Sequence, residues 1–281
     1  MNIESTNDNN STNPAITYSE CCTLPFVSLY NEDCIETMKR IPDGSIDLML
    51  TDPPYNTTQS SFEYDIDFDT LWTQYERILK PNGLILMFAD EPFTSKVILS
   101  KIEWFKIRIT WDKVTKRGFL NAKKMMLKQT EDIVLFSKCA NGQYTYNPIL
   151  YKKEKELIRI KKQYKATGQT CYGKTNGGEK ETDDTMGYPS NLITFNADGK
   201  ECNSGEFGKR FHVNQKPVDL MRYLILTYSN KGETVFDGYS GSGTTAEACI
   251  IEGRKFIGSE FNKEYFDKSV LRLKNVPQSL F

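Results

Sequence analysis

The chain predicts an α/β fold, a doubly wound and mostly parallel Rossmann-like sheet with an inserted recognition region. Three observations predict it. Apolar runs of strand length alternate with amphipathic stretches of helical length over most of the 281 residues, which is the pattern of βαβ units. Leu84-Ile85-Leu86-Met87-Phe88 is apolar without a break, as strands covered on both faces are. Two other apolar runs each end in an aspartate and turn residues, at Asp52-Pro53 and Asp237-Gly238; in such sheets ligands sit at the carboxyl ends of strands.

The elements follow in order. Val27-Ser28-Leu29-Tyr30 reads as a short strand, and Asn31-Glu32-Asp33-Cys34 leads into a helix over 35–40. Ile46-Asp47-Leu48-Met49-Leu50-Thr51 reads as a buried strand. Leu71, Tyr75, Ile78 and Leu79 recur at helical spacing, so 68–80 is predicted helical and stopped by Pro81-Asn82-Gly83. A strand follows at 84–88, a helix at 93–102, and strands at 106–111 and 132–137. Beyond a long polar stretch, Val218, Met221, Leu224, Ile225 and Tyr228 mark a helix over 216–228. A strand at 234–237, a helix at 244–252, a strand at 255–258 and a helix at 263–273 complete the alternation.

Two stretches fall outside it. Residues 1–17 are rich in Asn, Ser and Thr, a composition that predicts a disordered tail. Residues 139–211 are rich in Gly, Lys and Thr, with little periodicity (Thr175-Asn176-Gly177-Gly178-Glu179-Lys180). A connection this long reads as a functional insertion. One domain is therefore expected in two halves, 18–138 and 212–281, around a recognition insertion.

Charge is unevenly spread. The net charge is −1, yet residues 113–165 hold fourteen Lys/Arg against four Asp/Glu, a local balance of +10 that leaves −11 on the remainder. A basic middle on an acidic body suits a localised polyanion surface, with Lys113, Lys116, Arg117, Lys123, Lys124, Lys152 and Lys153 as candidate contacts. The seven cysteines are scattered without a Cys-x-x-Cys pair and there is one histidine, His212, so neither a zinc site nor a hydrolase triad is predicted. No stretch has the apolar length of a membrane span and the first residues carry no signal pattern, so a cytoplasmic location is expected.

Asp52-Pro53-Pro54-Tyr55 is the most informative tetrapeptide. Its prolines fix φ and hold the residue before each in an extended conformation. That turns carbonyl oxygens and the Asp52 carboxylate toward one point, with the Tyr55 ring as a flat lid. Such a wall suits a planar group with an exocyclic NH2. The tetrapeptide resembles the catalytic motif of amino-methyltransferases that act on adenine or cytosine in nucleic acid. Phe236-Asp237-Gly238-Tyr239-Ser240-Gly241-Ser242-Gly243-Thr244-Thr245 resembles the same family's S-adenosyl-L-methionine loop. Asn31-Glu32-Asp33-Cys34 and Asn214-Gln215-Lys216-Pro217 are similar to family segments at these positions. The order of the two halves is similar to the β class of DNA amino-methyltransferases, over about residues 30–274. The chain departs from the family at His212-Val213-Asn214, where His-Pro-Thr is usual, and at Glu32, where Gly is frequent.

The resemblance implies a methyltransferase sheet, S-adenosyl-L-methionine as cofactor and double-stranded DNA as partner. Asp at the first motif position goes mainly with adenine N6 in the family and Ser with cytosine N4, so an adenine-specific enzyme acting on a flipped base is expected. No Pro-Cys pair is present to supply the nucleophile of carbon-5 cytosine methylation. The catalytic candidates are Asp52, Pro53, Pro54 and Tyr55. For the cofactor, Gly238, Gly241 and Gly243 allow close backbone approach. The helix start at Thr244 and Thr245 attracts a carboxylate, with Lys216 adding charge. Glu260, with Phe261 beside it, is placed for the ribose hydroxyls, Phe236 and Asp237 end the strand beneath, and the resemblance assigns Asp33 and the Cys34 amide to the adenine. A cytosine-N4 enzyme and a non-catalytic DNA-binding subunit are the alternative readings. A homodimer and a cognate restriction endonuclease are left open as partners.

Overall fold

The computed structural model describes residues 20–55, 66–153, 169–170, 173–174, 185–197 and 215–277. The chain opens with β1 (Cys21–Leu24) and β2 (Val27–Tyr30), then α1 (Cys34–Arg40), β3 (Ile46–Thr51), α2 (Phe68–Ile78), β4 (Leu79–Ala89) and α3 (Phe93–Ser100). There follow β5 (Phe105–Arg117), β6 (Lys128–Phe136) and the short strands β7 (Tyr151–Lys152), β8 (Gln169–Thr170), β9 (Gly173–Lys174) and β10 (Met186–Gly187). Then come β11 (Leu192–Thr194), α4 (Val218–Tyr228), β12 (Thr234–Asp237), α5 (Thr244–Glu252), β13 (Lys255–Ser259) and α6 (Lys263–Lys274). The predicted tail at 1–17 lies outside the described residues, as does much of 139–211.

Among the described residues, nine strands form one sheet in the order β1-β2-β13-β12-β3-β4-β6-β5-β11. Five of its neighbouring pairs are parallel, from β2 across to β4 and again between β5 and β11. Alternation along the central strands explains why helices cover both faces. Leu84, Leu86 and Phe88 of β4 join Leu48 and Leu50 in a core that also takes Leu224 of α4, Ala248 of α5 and Phe266 of α6. Ile85, Met87 and Ala89 face the other way and join Met38 of α1, Tyr75 of α2 and Val97 of α3. Burying each Leu, Ile, Val, Met or Phe side chain among these contributes about 1.5–3 kcal/mol, so the central strands are the anchor of the fold. Helix starts are fixed locally: Asp33 accepts from Ile35 N–H at 2.8 Å, and Asp67 from Asp69 and Thr70.

The structure adds to the sequence reading or departs from it at several points. Strand β1, which pairs antiparallel with β2, was not signalled by an apolar run. Helix α2 ends at Ile78 and β4 starts at Leu79, so Pro81-Asn82-Gly83 sits in a break in the β3–β4 register rather than ending a helix. Strand β6 runs antiparallel to both β4 and β5. Residues 192–194, read as part of the insertion, extend the main sheet beside β5, and Phe195 C=O accepts from Trp111 Nε1 at 2.8 Å. Among the described residues no helix is long and apolar enough to cross a membrane.

Strand order reverses between β3 and β12: from β3 the sheet grows toward β4, from β12 toward β13. These two strands are parallel neighbours, with Val235 opposite Leu48 and Phe236 opposite Met49. Asp52 and Asp237 therefore leave the same edge of the sheet, side by side, at the topological switch point where open α/β sheets hold ligands.

Candidate active site

Two walls meet at this crevice. The first is Asp52-Pro53-Pro54-Tyr55, in which Pro53 is buried and the other three are partly buried. Asp52 Oδ1 accepts from the Tyr55 hydroxyl at 2.5 Å, and Oδ2 from the Lys216 ammonium at 2.6 Å. The Tyr55 ring stacks on Phe93, centroids 5.2 Å apart and planes 24° from parallel, so one side of the aromatic lid is backed by protein.

Behind this wall stands Glu131, at the crevice end of β6 and 6% exposed. Its Oε1 lies 2.9 Å from both the Tyr55 hydroxyl and Lys216 Nζ, and its Oε2 is paired with Lys113. The Lys216 ammonium also sits 4.8 Å from the centre of the Phe88 ring, in range of a cation–π contact. Burial alone would raise the Glu131 carboxyl, but Lys216 and Lys113 overcome it and bring its pKa down to about 2. Burial likewise works against the Lys216 ammonium, and Asp52 with Glu131 outweighs it, holding that pKa above the ordinary lysine value. Burial and the neighbouring Glu131 raise Asp52 above the usual carboxylate value, and Lys216 limits the rise.

The second wall is the glycine loop between β12 and α5. Asp237 fastens its ends: one carboxylate oxygen accepts from Tyr239 N–H at 3.0 Å, the other from the Thr245 hydroxyl at 2.6 Å. Burial pushes the Asp237 carboxyl up to about 7 against these two donors. Gly243 caps α5 with φ +74°, a left-handed conformation that disfavours residues with a Cβ. Ser269 Oγ donates to Gly241 C=O, Arg272 to Ser242 C=O and Ser259 Oγ to Gly238 C=O. Glu260, just past β13, accepts from Gly241 N–H at 2.8 Å and Asn262 N–H at 2.7 Å. Asn31 ties the next segment in, its Nδ2 donating to Glu260 C=O at 2.8 Å and Phe261 C=O at 3.1 Å. Asp33, Glu260 and the loop thus line one end of the sheet, with the Phe261 side chain 80% exposed beside them.

Several residues do different work from that expected. Lys113 is not part of an open basic surface, since it pairs with Glu131 inside the site. Lys216 brings its charge to Asp52 and Glu131 rather than to the start of α5. The Thr245 hydroxyl is taken by Asp237. A side chain at Gly238 would meet the Cys34 Cβ at 3.0 Å, so the close approach there is to α1. Cys34 is buried, and burial raises its thiol to about 11, which marks it as a packed, unreactive group. Lys116 and Arg117 are exposed at the end of β5, Lys123 and Lys124 are exposed on the connection to β6, Lys152 is exposed on β7, and Lys153 is partly buried beside it. Glu131 was missed; the signal available was a pair of acids, Glu131-Asp132, leading into the apolar run Ile133–Phe136.

The matched family model is that of the N6/N4 DNA methylases, over residues 46–271. The chain belongs to that family. It is 28% identical over 277 residues to the type II methyltransferase M.HinfI of Haemophilus influenzae, covering 87% of this chain and 67% of that protein. It is 29% identical over 260 residues to the DNA adenine methyltransferase YhdJ of Escherichia coli (strain K12), covering 88% and 82%. Among solved structures, the M1.HpyAVI–SAM complex superposes with a TM-score of 0.56 at 24% identity, covering 88% of this chain and all of that one. The cytosine-N4-specific PvuII DNA methyltransferase gives 0.58 at 20%, covering 88% and 86%. These structures share the fold.

Membership makes the chain a DNA methyltransferase with S-adenosyl-L-methionine as its methyl donor. The crevice fits that group. The first amides of α5 have no partner within the helix, two carboxylates (Asp33 and Glu260) flank the loop, and the loop's Ser240 Oγ is buried with no hydrogen-bond partner among the described residues.

Proposed function

We propose that this methyltransferase modifies the N6 amino group of adenine in double-stranded DNA, on a base turned out of the helix. The observation that carries this is the pairing of the two walls: the Asp52 turn and the glycine loop leave adjacent parallel strands at one switch point. Asp at the first motif position favours adenine over cytosine, in keeping with the adenine-specific name of YhdJ.

Asp33, Glu260 and the start of α5 would hold the cofactor. When bound, S-adenosyl-L-methionine supplies a methyl group on positively charged sulfur, which a nitrogen lone pair can take directly, without a covalent enzyme intermediate. Asp52 and the Pro53 carbonyl accept the two hydrogens of the target amine. This draws the nitrogen's lone pair out of conjugation with the ring and orients it, so catalysis is mainly alignment and electrostatics. The Tyr55 ring, backed by Phe93, stacks on the extruded base. Burial holds Asp52 above the usual carboxylate range, which suits it to take the proton that the methylated nitrogen sheds. Lys116 and Arg117 at the end of β5, with Lys123 and Lys124 on the connection to β6, meet phosphates. The insertion between residues 139 and 211, apart from the strand β11 that joins the main sheet, reads the sequence.

The test is nucleoside analysis of DNA incubated with protein and labelled donor. N6-methyladenine is expected; N4-methylcytosine would overturn the choice of base. Asp52→Ala should abolish methylation while cofactor affinity stays within a few-fold, and near-wild-type turnover in that variant would remove the mechanism.

A further inference from the structure

Both oxygens of Asp52 are already occupied, Oδ1 by the Tyr55 hydroxyl and Oδ2 by Lys216. Each carboxylate oxygen can accept a second hydrogen bond, so a target amine displaces a donor where it takes the same lone pair; taking the Oδ1 lone pair turned to Tyr55 releases that hydroxyl. A buried donor left without an acceptor is costly, so the site needs somewhere to put it. The Tyr55 hydroxyl has one hydrogen but two carboxylate oxygens in range, Asp52 Oδ1 at 2.5 Å and Glu131 Oε1 at 2.9 Å. It can serve only one at a time. Lys216 has three hydrogens and reaches both carboxylates, so it can stay where it is. Lys113 holds the other oxygen of Glu131 and fixes that side chain from behind. Two carboxylates and two ammonium groups balance in charge, so no net charge need enter or leave when the hydrogen bond moves.

We infer that Glu131 is a positioning residue that receives the Tyr55 hydroxyl when the target amine arrives, freeing Asp52 Oδ1 to accept the amine. No covalent bond changes in this exchange; one O–H turns from one acceptor to another. The inference rests on the reading of Asp52 as the amine's acceptor. It gives Glu131 a role in turnover although it need not touch substrate or cofactor.

The titratable and charged groups facing Asp52 are Tyr55 of its own turn, Glu131 of β6, Lys216 before α4 and Asp237 of β12, with Lys113 of β5 behind Glu131. Glu131 raises Asp52, so removing its charge moves Asp52 ionisation to lower pH.

The experiment is single-turnover methylation by Glu131→Gln across pH, with cofactor and DNA affinities measured separately. A neutral amide cannot accept from Tyr55 and Lys216 on one side and from Lys113 on the other without meeting one of them donor to donor. The expected result is a 10- to 100-fold slower methyl-transfer step, affinities within about three-fold and an acid limb shifted to lower pH. In a Tyr55→Phe background, which has no hydroxyl to rehouse, Glu131→Gln should cost much less than in the wild type. Wild-type rate with an unshifted limb, or equal losses in the two backgrounds, would overturn the exchange. If Glu131→Gln does not fold, Glu131→Asp keeps the charge but withdraws it by one methylene; it should slow methyl transfer without moving the acid limb, and a wild-type rate overturns the exchange. Asp52→Ala run alongside separates the two ideas. An active Asp52→Ala removes the reading of Asp52, whereas an inactive Asp52→Ala beside a fully active Glu131→Gln removes only the exchange.

Discussion

The Lys216 ammonium lies 2.6 Å from Asp52 Oδ2, although 164 residues of chain separate the two. Their side chains are 8% and 22% exposed, so the pair is shielded from water and its loss is costly. Removing one partner of a buried pair typically destabilises by about 3–5 kcal/mol. The segment that precedes α4 is thus held to the turn that follows β3 by charge as well as by packing.

Lys216→Met should act on chemistry and on pH together. A cation beside Asp52 lowers its pKa, so its removal raises it, and raises Glu131 with it. The acid limb of single-turnover methylation should move to higher pH, and the rate at pH 7 should fall at least about ten-fold. Lys216→Arg, which keeps the charge, should leave the limb close to that of the wild type. An unmoved limb in Lys216→Met would show that the ammonium does not set Asp52 ionisation.

Asp237 predicts a dependence of stability on pH. Its folded value of about 7 stands above the unfolded value of about 3.9. Below about pH 4 both states are protonated and nothing is lost. Between about 4 and 7 the unfolded chain ionises first, so stability falls as pH rises; above about 7 the loss is complete, of order a few kcal/mol. Urea unfolding of Asp237→Asn and wild type at pH 5 and pH 8 checks this. The variant's stability relative to wild type should rise with pH, and a constant difference would contradict the assignment.

These consequences differ in how legible they were. Strands 46–51 and 234–237 and helix 244–252 could be read with the bounds they have, because each apolar run stops abruptly at Asp-Pro, Asp-Gly or a glycine cap. The two motif halves could be paired from sequence because parallel strands present their carboxyl ends together. Strand β1 could not be read, since its residues are exposed or only partly buried and carry no apolar run. The link from Glu131 to Lys113 and Lys216 was hidden for another reason. It depends on the register that sets Trp111 opposite Glu131 across two antiparallel strands, and no local pattern in either strand states that register. Lys113 was misread with it, because one-dimensional charge counting cannot tell a lysine at a rim from one folded back onto an acid.

The lysines can be sorted by salt dependence. Lys116, Lys123 and Lys124 are exposed, and changing all three to Gln should reduce the slope of log K for DNA against log salt by up to about 2.7, with unfolding temperature nearly unchanged. Lys113→Gln should do the reverse, leaving the slope almost intact while slowing turnover, because its partner is Glu131. A slope unaltered in the triple variant would place the phosphates elsewhere.

The position of β12 and β13 between β2 and β3 bears on when the protein comes to life during synthesis. As the first 138 residues leave the ribosome, β2 has only β1 to pair with, and β3 lacks its neighbour on one side. The strands that join them are translated well after β3, and they bring the donor loop and follow closely on Lys216. A half-made chain therefore exposes the acid turn without its ammonium and without a place for the methyl donor. Catalytic competence waits until these later strands fill the centre of the sheet.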